Sequence, residues 1–66
     1  MFSERFVEIT QEKGLTPYRV AKETGISQGL ISEYKSGKKE PTLQNLIKIA
    51  DYLDVSLDYL VGRNKK

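Results

Sequence analysis

The sequence predicts an all-α fold, a compact bundle of five short helices in one domain. Three features support this prediction: glycines recur at short intervals, hydroxyl residues stand where a helix N-cap is expected, and the apolar residues in between keep a helical spacing. The glycines are Gly14, Gly25, Gly37 and Gly62, and the hydroxyl residues are Thr16, Ser27, Thr42 and Ser56. A left-handed glycine commonly ends a helix, and a Ser or Thr side chain commonly caps the next one. These markers therefore delimit five helices.

The first two helices are expected over about residues 3–13 and from Pro17 to the residue before Gly25. Proline suits the first position of the second helix, because its φ angle is already helical and its missing N–H has no partner there. In the first helix, the i, i+4, i+7 spacing predicts one buried side. The residues on that side are Phe2, Phe6, Ile9 and the stem of Lys13.

The third helix is expected over Gln28–Ser36, the fourth from Leu43, and the last over residues 57–61. Helical spacing predicts that the fourth helix buries a stripe of apolar residues. These are Leu43, Leu46, Ile47, Ala50 and Leu53. The alternation typical of a strand is weak throughout, so no strand is predicted.

Length and composition limit the possible functions. The chain has 66 residues, 38% of them hydrophobic and 30% charged, which fits one small globular domain. It contains neither Cys nor His, which excludes a disulfide, an ordinary zinc site, a thiol nucleophile and an imidazole base. We therefore expect no enzymatic activity and no metal, cofactor or small-molecule site.

The domain is expected to span residues 1–62, followed by a basic tail at 63–66 that we expect to be disordered. No apolar run reaches the roughly 18 residues of a membrane span, and the first residues lack the order of a signal peptide. The sequence thus predicts a cytoplasmic protein without a membrane partner. We also expect no second, ligand-sensing domain, so that control would depend on protein concentration, on a partner or on competition for the binding site.

Residues 17–37 hold two short helices joined by the turn Gly25-Ile26-Ser27. A turn of three or four residues that contains glycine makes two helices cross at a steep angle, which is the helix-turn-helix geometry. The small Ala21 would allow these helices to approach closely. Four larger side chains would fill the angle between them: Val20, Ile26, Ile31 and Tyr34. Turn chemistry alone leaves an alternative, an αα-hairpin that happens to use glycine.

The outer face of the third helix favours the helix-turn-helix interpretation. This face consists of short or polar residues instead of the long charged side chains of an ordinary solvated surface. We assign four of them to the reading of DNA bases: Gln28, Gly29, Ser32 and Glu33. A helix in the major groove needs small residues for close approach and polar groups that meet base edges, and Gln28 suits adenine. Glu33 would either accept a hydrogen bond from cytosine or remain solvated and be repelled by phosphates.

Positive charge gathers just after this helix. From residue 34 onward the chain has seven Lys and Arg against four Asp and Glu, whereas residues 1–33 have four against five. Lys35, Lys38 and Lys39 fall within five residues, where the phosphate backbone beside a groove-bound helix would lie. We assign them to phosphate binding. The alternative is that each is only solvated, as most surface lysines are.

Other patterns do not support a different chemistry. Two Ser-x-x-Lys matches, at Ser32 and Ser36, lack the companion motifs of an acyl-transfer enzyme. Aspartates at helical spacing after residue 50 lack the loop of a calcium site. Tyrosines on different helices could stack on single-stranded bases, but partial packing against the core is the preferred interpretation. These tyrosines are Tyr18, Tyr52 and Tyr59.

The order of these motifs resembles that of the lambda-repressor-like helix-turn-helix regulators of bacteria and phages, the Xre or Cro/cI type. The resemblance covers about residues 6–62, and its order and spacing are highly specific. The segments that carry it are Glu12-Lys13-Gly14-Leu15-Thr16, Val20-Ala21, Thr24-Gly25-Ile26-Ser27, Leu30-Ile31-Ser32, Ser36-Gly37-Lys38, Pro41-Thr42-Leu43 and residues 53–60. It implies a five-helix DNA-binding domain, usually a homodimer on a pseudo-palindromic operator, that represses or activates transcription.

The resemblance also implies roles by position. The base-reading positions are again those of Gln28, Gly29, Ser32 and Glu33. The phosphate positions are those of Lys38 and Thr42, to which we add Thr16. The chain departs from the family pattern at Pro17, where many members have a glutamine that touches the DNA backbone and braces the recognition helix. It also has Thr10 and Lys35 where many members have an Arg–Glu pair, which leaves Lys35 able to face DNA.

The sequence therefore predicts a sequence-specific regulator of transcription that binds double-stranded DNA, namely a repressor that acts as a homodimer on a palindromic operator. Dimer contacts are expected around Tyr52, Tyr59 and Val61. An alternative from another class is a protein-interaction module, such as an antitoxin or antirepressor, built on the same fold. A small enzyme is a further alternative, which the absence of His and Cys disfavours.

Overall fold

The computed structural model describes residues 2–62, which form five helices and, within that range, no strand. The helices are α1 (Phe2–Glu12), α2 (Pro17–Thr24), α3 (Gln28–Ser36), α4 (Leu43–Leu53) and α5 (Leu57–Leu60). The predicted all-α fold and the order of its elements are confirmed, and the bounds of α1 and α5 differ from the prediction by one residue. The basic tail predicted at residues 63–66 lies outside the described residues.

Helices α2 to α5 begin at a hydroxyl side chain, as the sequence predicted. In each case the side-chain oxygen accepts a hydrogen bond from the backbone N–H three residues further on, which pairs one of the amides that the first helical turn leaves open. The bonds are Thr16 to Arg19 at 3.1 Å, Ser27 to Leu30 at 3.1 Å, Thr42 to Asn45 at 3.2 Å and Ser56 to Tyr59 at 3.0 Å. The start of each of these helices is therefore determined by local chemistry.

Glycine ends both α2 and α3, and Gly25 begins the turn that joins these two helices. Gly25 and Gly37 have φ angles of 78° and 82°, a conformation that glycine adopts without steric cost. The N–H of Gly25 donates to the carbonyl of Ala21 at 2.9 Å and closes the last turn of α2. A turn of three residues follows, and α3 begins at Gln28.

Helix α4 ends at a residue that the sequence did not mark. Asp54 has a φ angle of 60°, and no other non-glycine residue between 2 and 62 has a positive φ. A side chain in the left-handed conformation costs roughly 1–2 kcal/mol. In addition, its carboxylate lies at the negative end of the helix dipole. Both effects make Asp54 locally unfavourable.

Replacing Asp54 by glycine is therefore expected to raise the free energy of unfolding by about 1 kcal/mol. The midpoint of thermal unfolding, followed by circular dichroism, measures this change. Asp51→Gly, within the same helix, serves as the matched control and is expected to lower the free energy of unfolding by about 1 kcal/mol. Equal destabilisation by the two variants would show that Asp54 carries no backbone strain.

A single core of apolar side chains holds the five helices together. The buried apolar residues are Phe2, Phe6, Ile9, Val20, Ala21, Ile26, Ile31, Tyr34, Ile49, Ala50, Leu53 and Leu60. All the residues predicted to fill the angle between α2 and α3 are among them. The rings of Phe2 and Phe6 stack with centroids 5.3 Å apart, and the ring of Tyr34 meets Phe2 edge-on at 6.1 Å. These contacts attach α1 to α3.

The buried side of α4 differs from the prediction. Leu43 and Ile47 were expected in the core, but they are 66% and 41% exposed, whereas Ile49 is completely buried. The stripe that faces the core consists of Leu46, Ile49, Ala50 and Leu53. This stripe also has helical spacing, and α4 is turned so that Leu43 and Ile47 face outward beside it.

Two further side chains lie outside the core against expectation. Lys13, which directly follows the last residue of α1, is exposed, so its stem does not lie on the buried side of that helix. Tyr18 is 59% exposed. It precedes the buried Val20 by two residues, and such a separation places side chains on opposite sides of a helix. The interpretation of Tyr18 as a partly packed residue was therefore wrong.

Helix packing leaves one side of α3 uncovered. α3 packs against α2 and α1, α4 packs against α2, and α5 packs against α1 and α4. Ile31 and Tyr34 point from α3 into this core with 0% and 2% exposure. Because residues three apart share a side of a helix, these two anchors fix the rotation of α3 about its axis.

Candidate nucleic-acid interface

The outer face of α3 is open at three of the four predicted base-reading positions. Gln28, Gly29 and Ser32 are exposed, whereas Ile31 is buried in the core. The helix therefore presents an amide, a bare backbone and a hydroxyl on one surface. Such groups can form hydrogen bonds with base edges at close range.

Gly29 lowers the profile of this surface near the start of α3. A Cβ atom built on it would meet no atom within 4 Å, and its φ angle is not positive. Neither internal packing nor backbone conformation therefore requires glycine here. A side chain at this position would extend into open space.

The remaining predicted base reader, Glu33, is half-buried and paired. Its Oε1 lies 3.7 Å from Nζ of Lys39 in the loop that follows α3. A predicted base-reading residue and a predicted phosphate-binding residue thus contact each other, which the sequence did not predict. The carboxylate of Glu33 is therefore not simply solvated.

The predicted phosphate-binding lysines are all exposed, but their surroundings differ. Lys39 pairs with Glu33, whereas the side chain of Lys38 forms no ion pair with any residue between 2 and 62. Lys35 lies at a cavity of about 40 Å³ between α1, α2 and the end of α3. Among residues 2–62, Lys35 and Lys38 thus have no ion-pair partner, whereas Lys39 has one.

Lys35 and the first residues of α2 line the same cavity. It is lined by Phe6, Thr10, Gln11, Leu15, Pro17, Val20 and Lys35. The hydroxyl of Thr10 donates to the carbonyl of Phe6 at 2.8 Å within α1. Lys35 thus lies near Pro17, the residue that directly follows the predicted phosphate-binding Thr16.

Thr16 and Thr42 are exposed at the starts of α2 and α4. In both residues the hydroxyl oxygen accepts the capping hydrogen bond from the backbone. A hydroxyl can accept and donate at once, so each O–H can still donate to a phosphate oxygen. Helix N-termini add a favourable field for anions at both positions.

A contact that sequence reasoning missed joins α3 to α4. The side-chain amide of Asn45 donates to the hydroxyl of Tyr34 at 2.9 Å, while the backbone N–H of Asn45 donates to Thr42. Tyr34 thereby holds the start of α4 near the C-terminal end of α3. The signal available in the sequence was that a buried tyrosine usually needs a partner for its hydroxyl.

The predicted dimer residues lie around α4 and α5. Tyr52 and Tyr59 are half-buried and pack against the core, and the guanidinium of Arg5 lies 5.0 Å from the centre of the Tyr59 ring. Val61 is 36% exposed, as is Leu57 at 37% one turn earlier. These residues form a mixed apolar surface, and their role in a dimer stays a prediction.

The described part of the chain shows no sign of a metal site. Between residues 2 and 62, no group of three or more acidic side chains comes together in a way that could hold an ion. Over the same range, no helix has the length and apolar character needed to cross a bilayer.

Comparisons with known proteins agree on one family. The helix-turn-helix family model HTH_3 matches residues 8–60. The transcriptional regulator YqaE of Bacillus subtilis is 41% identical over 61 residues, which cover 92% of this chain and 53% of that protein. The transcriptional repressor RstR of the cryptic phage CTXphi in Vibrio cholerae is 42% identical over 60 residues, with 91% and 54% covered. The chain thus spans about half the length of these curated relatives.

A solved structure agrees with the fold. The crystal structure of a transcriptional regulator from Listeria innocua superimposes with a TM-score of 0.87 at 29% identity, over the whole of this chain and 62% of that one. The matched family model is a helix-turn-helix domain, and these relatives are named transcriptional regulators. With its capped helices, its three-residue turn and a family match over residues 8–60, the chain belongs to the helix-turn-helix family of the lambda-repressor-like type.

Proposed function

We propose that this chain is a sequence-specific transcription regulator that binds double-stranded DNA through α3. The observation that carries the proposal is the exposed, short-chained outer face of α3, at Gln28, Gly29 and Ser32, beside a cluster of lysines. A major groove admits one helix, and its base edges pair with amides and hydroxyls at hydrogen-bond distance. In this arrangement Gln28 pairs with adenine and Ser32 contacts a neighbouring base.

Phosphate contacts position α3 in the groove. The exposed side chains assigned to this role are Thr16, Lys35, Lys38, Lys39 and Thr42. Because they come from the starts of α2 and α4 and from the end of α3 and the loop after it, they would grip the backbone on both sides of the inserted helix. Such contacts determine register and supply much of the affinity without reading sequence.

The finer proposal is a repressor that acts in the bacterial cytoplasm by occupying promoter DNA as a homodimer. Residues 1–62 form the DNA-binding domain, and two copies read the halves of a palindromic operator about 34 Å apart, which is one turn of DNA. Contacts between the copies involve Tyr52, Tyr59 and Val61. The name of the relative RstR, a transcriptional repressor, supports this direction of control.

Selection from a pool of random duplexes at physiological salt tests the proposal. Enrichment of a palindromic sequence with half-sites one turn apart is the expected result. About four to six lysine contacts per dimer predict a slope of about −4 to −5 in a plot of log affinity against log salt. A slope near zero, or no enrichment, would contradict the proposal.

Two substitutions separate base reading from phosphate binding. Gln28→Ala is expected to cost about 1–3 kcal/mol of binding free energy on the selected site and to relax preference at one base pair. Lys38→Ala is expected to weaken binding to all duplexes alike and to reduce the salt slope by about 1 per protomer. Titration of both variants against the selected duplex and a mixed-sequence duplex measures the difference. If Gln28→Ala weakened both duplexes equally, Gln28 would not be a base reader.

The exposed Leu43 and Ile47 favour a second candidate function, a protein-interaction module such as an antitoxin or antirepressor. Apolar residues side by side on a helix surface suit a protein partner better than a phosphate backbone. Such a module would bind its partner protein and show no preference among duplexes, so the selection experiment distinguishes the two functions.

A further inference from the structure

The Glu33–Lys39 contact joins a residue that the sequence predicted to read bases to a lysine that the proposed function assigns to phosphate. The side chains are 37% and 60% exposed, and 3.7 Å separates Oε1 of Glu33 from Nζ of Lys39. No second acidic group between residues 2 and 62 lies within ion-pair distance of this ammonium. In the absence of DNA, Lys39 therefore has one anion beside it, and that anion belongs to the recognition helix.

Backbone hydrogen bonds, and not this ion pair, determine the position of the Lys39 backbone. The carbonyl oxygen of Glu33 accepts hydrogen bonds from the N–H of Lys38 at 2.9 Å, from the N–H of Lys39 at 3.3 Å and from the hydroxyl of Ser36 at 3.2 Å. Any residue at position 33 keeps this carbonyl. The path of the loop after α3 is therefore independent of the carboxylate, whose contribution is electrostatic.

The carboxylate of Glu33 and a DNA phosphate would both form an ion pair with the same ammonium, that of Lys39. If Lys39 turns to a phosphate, it leaves Glu33, which must then recover a counterion from solution. If it stays, the carboxylate and the phosphate repel each other across it. In both cases the counterion release that normally accompanies a lysine–phosphate contact is cancelled in part.

We propose that Glu33 is an intramolecular competitor of the DNA phosphate for Lys39, and that it weakens DNA binding and its salt dependence without reading a base. The inference rests on the proposed function, since it assumes that Lys39 approaches DNA. Glu33 is thus a residue that regulates the strength of the phosphate grip. Lys35 and Lys38, which form no ion pair with any residue between 2 and 62, supply the unopposed phosphate contacts.

The test compares Glu33→Gln with Glu40→Gln. The two variants lose the same charge from neighbouring parts of the surface, but Glu40 forms no ion pair with any residue from 2 to 62. The full 66-residue chain is titrated at several salt concentrations against a selected duplex and a mixed-sequence duplex of about 30 base pairs, or three turns. Thermal unfolding confirms that both variants keep the fold.

Glu33→Gln is expected to tighten binding at low salt by about threefold per protomer, hence about tenfold for a dimer, the range of an exposed ion pair. The increase should be equal on both duplexes, because phosphates carry no sequence. The salt slope should change from about −4 to about −5, since Lys39 of each protomer then releases its counterion fully. Glu40→Gln should leave the slope as in the unchanged chain.

Lys39→Ala completes a double-mutant cycle. In the unchanged chain, Lys39→Ala is expected to weaken binding less than Lys38→Ala does. In the Glu33→Gln background, the two lysine substitutions are expected to weaken binding equally. Tighter binding by Glu33→Gln with no interaction between positions 33 and 39 in this cycle would overturn the inference.

Other outcomes are equally informative. Weaker binding by Glu33→Gln, or a changed preference at one base pair on the selected duplex only, would make Glu33 a base reader and overturn the inference while leaving the proposed function intact. If the unchanged chain bound neither duplex, or bound both with a salt slope near zero, the proposed function itself would fail.

Discussion

Replacing Tyr34 by alanine is expected to leave most of the domain unfolded at room temperature. The side chain is 2% exposed, packs edge-on against Phe2 and accepts a hydrogen bond from Asn45. Removing a buried aromatic ring costs about 3–5 kcal/mol, and a core of this size rarely supplies more than about 3–5 kcal/mol in total. Circular dichroism during urea titration measures the loss, which should appear as missing helix signal before denaturant is added.

Tyr34→Phe is the matched control, because it keeps the ring and removes only the hydroxyl. It is expected to cost about 1 kcal/mol of unfolding free energy, the value of one hydrogen bond. The hydroxyl holds Asn45 and thus the start of α4. The same variant should therefore also weaken DNA binding slightly under conditions in which the protein is fully folded. If Tyr34→Ala unfolded cooperatively within a few degrees of the unchanged chain, α1 and α3 would have to be held together by other contacts.

Placing a carboxylate at Ser32 is expected to abolish specific DNA binding while leaving the fold intact. Ser32 is exposed in the middle of the open face of α3, and glutamate is a better helix former than serine. In the bound state, however, its charge would be brought close to the phosphates of both strands. Such like-charge contacts cost several kcal/mol, so Ser32→Glu should reduce the affinity of the selected duplex by at least about 100-fold.

Ser32→Ala provides the comparison, since it removes the hydroxyl without adding charge. It is expected to weaken binding about tenfold or less, as the loss of one hydrogen bond does, with a thermal midpoint equal to that of Ser32→Glu within error. Fluorescence anisotropy with the labelled duplex measures both affinities. Retention of tight binding by Ser32→Glu would mean that this face of α3 lies away from DNA.

Helix boundaries could be predicted because they depend on local chemistry. The hydroxyls of Thr16, Ser27 and Thr42 pair with amides only three residues away, and Gly25 and Gly37 adopt a conformation that other residues avoid. Such signals are readable without knowledge of the rest of the fold. The end of α4 at Asp54 was missed because it carries no such signal: an aspartate adopts the left-handed conformation much less often than glycine does.

The orientation of α4 could not be predicted with the same success. Its sequence contains two overlapping apolar stripes, one that includes Leu43 and Ile47 and one that includes Ile49. Helical spacing accepts both stripes, and only packing against α2 and α5 decides between them. The choice is therefore a property of the tertiary structure and not of the helix.

In the candidate site, too, some features could be predicted from local helical geometry and others depended on the tertiary structure. The exposure of Gln28 and Ser32 followed from the predicted burial of Ile31 and Tyr34, because helical geometry relates these positions directly. The Glu33–Lys39 and Tyr34–Asn45 contacts depend on how the loop after α3 folds back. No periodic pattern describes that loop, so its contacts required the structure.

The open space at Gly29 has a consequence for the evolution of this domain. Because a side chain added there meets nothing within the protein, a single codon change can place a new group on the outer face of α3 without disturbing the core. If α3 reads DNA as we propose, target preference and folding are separable at this position. A lineage that carries this domain would then reach a different operator by one substitution, and an engineer could do the same by randomising one codon.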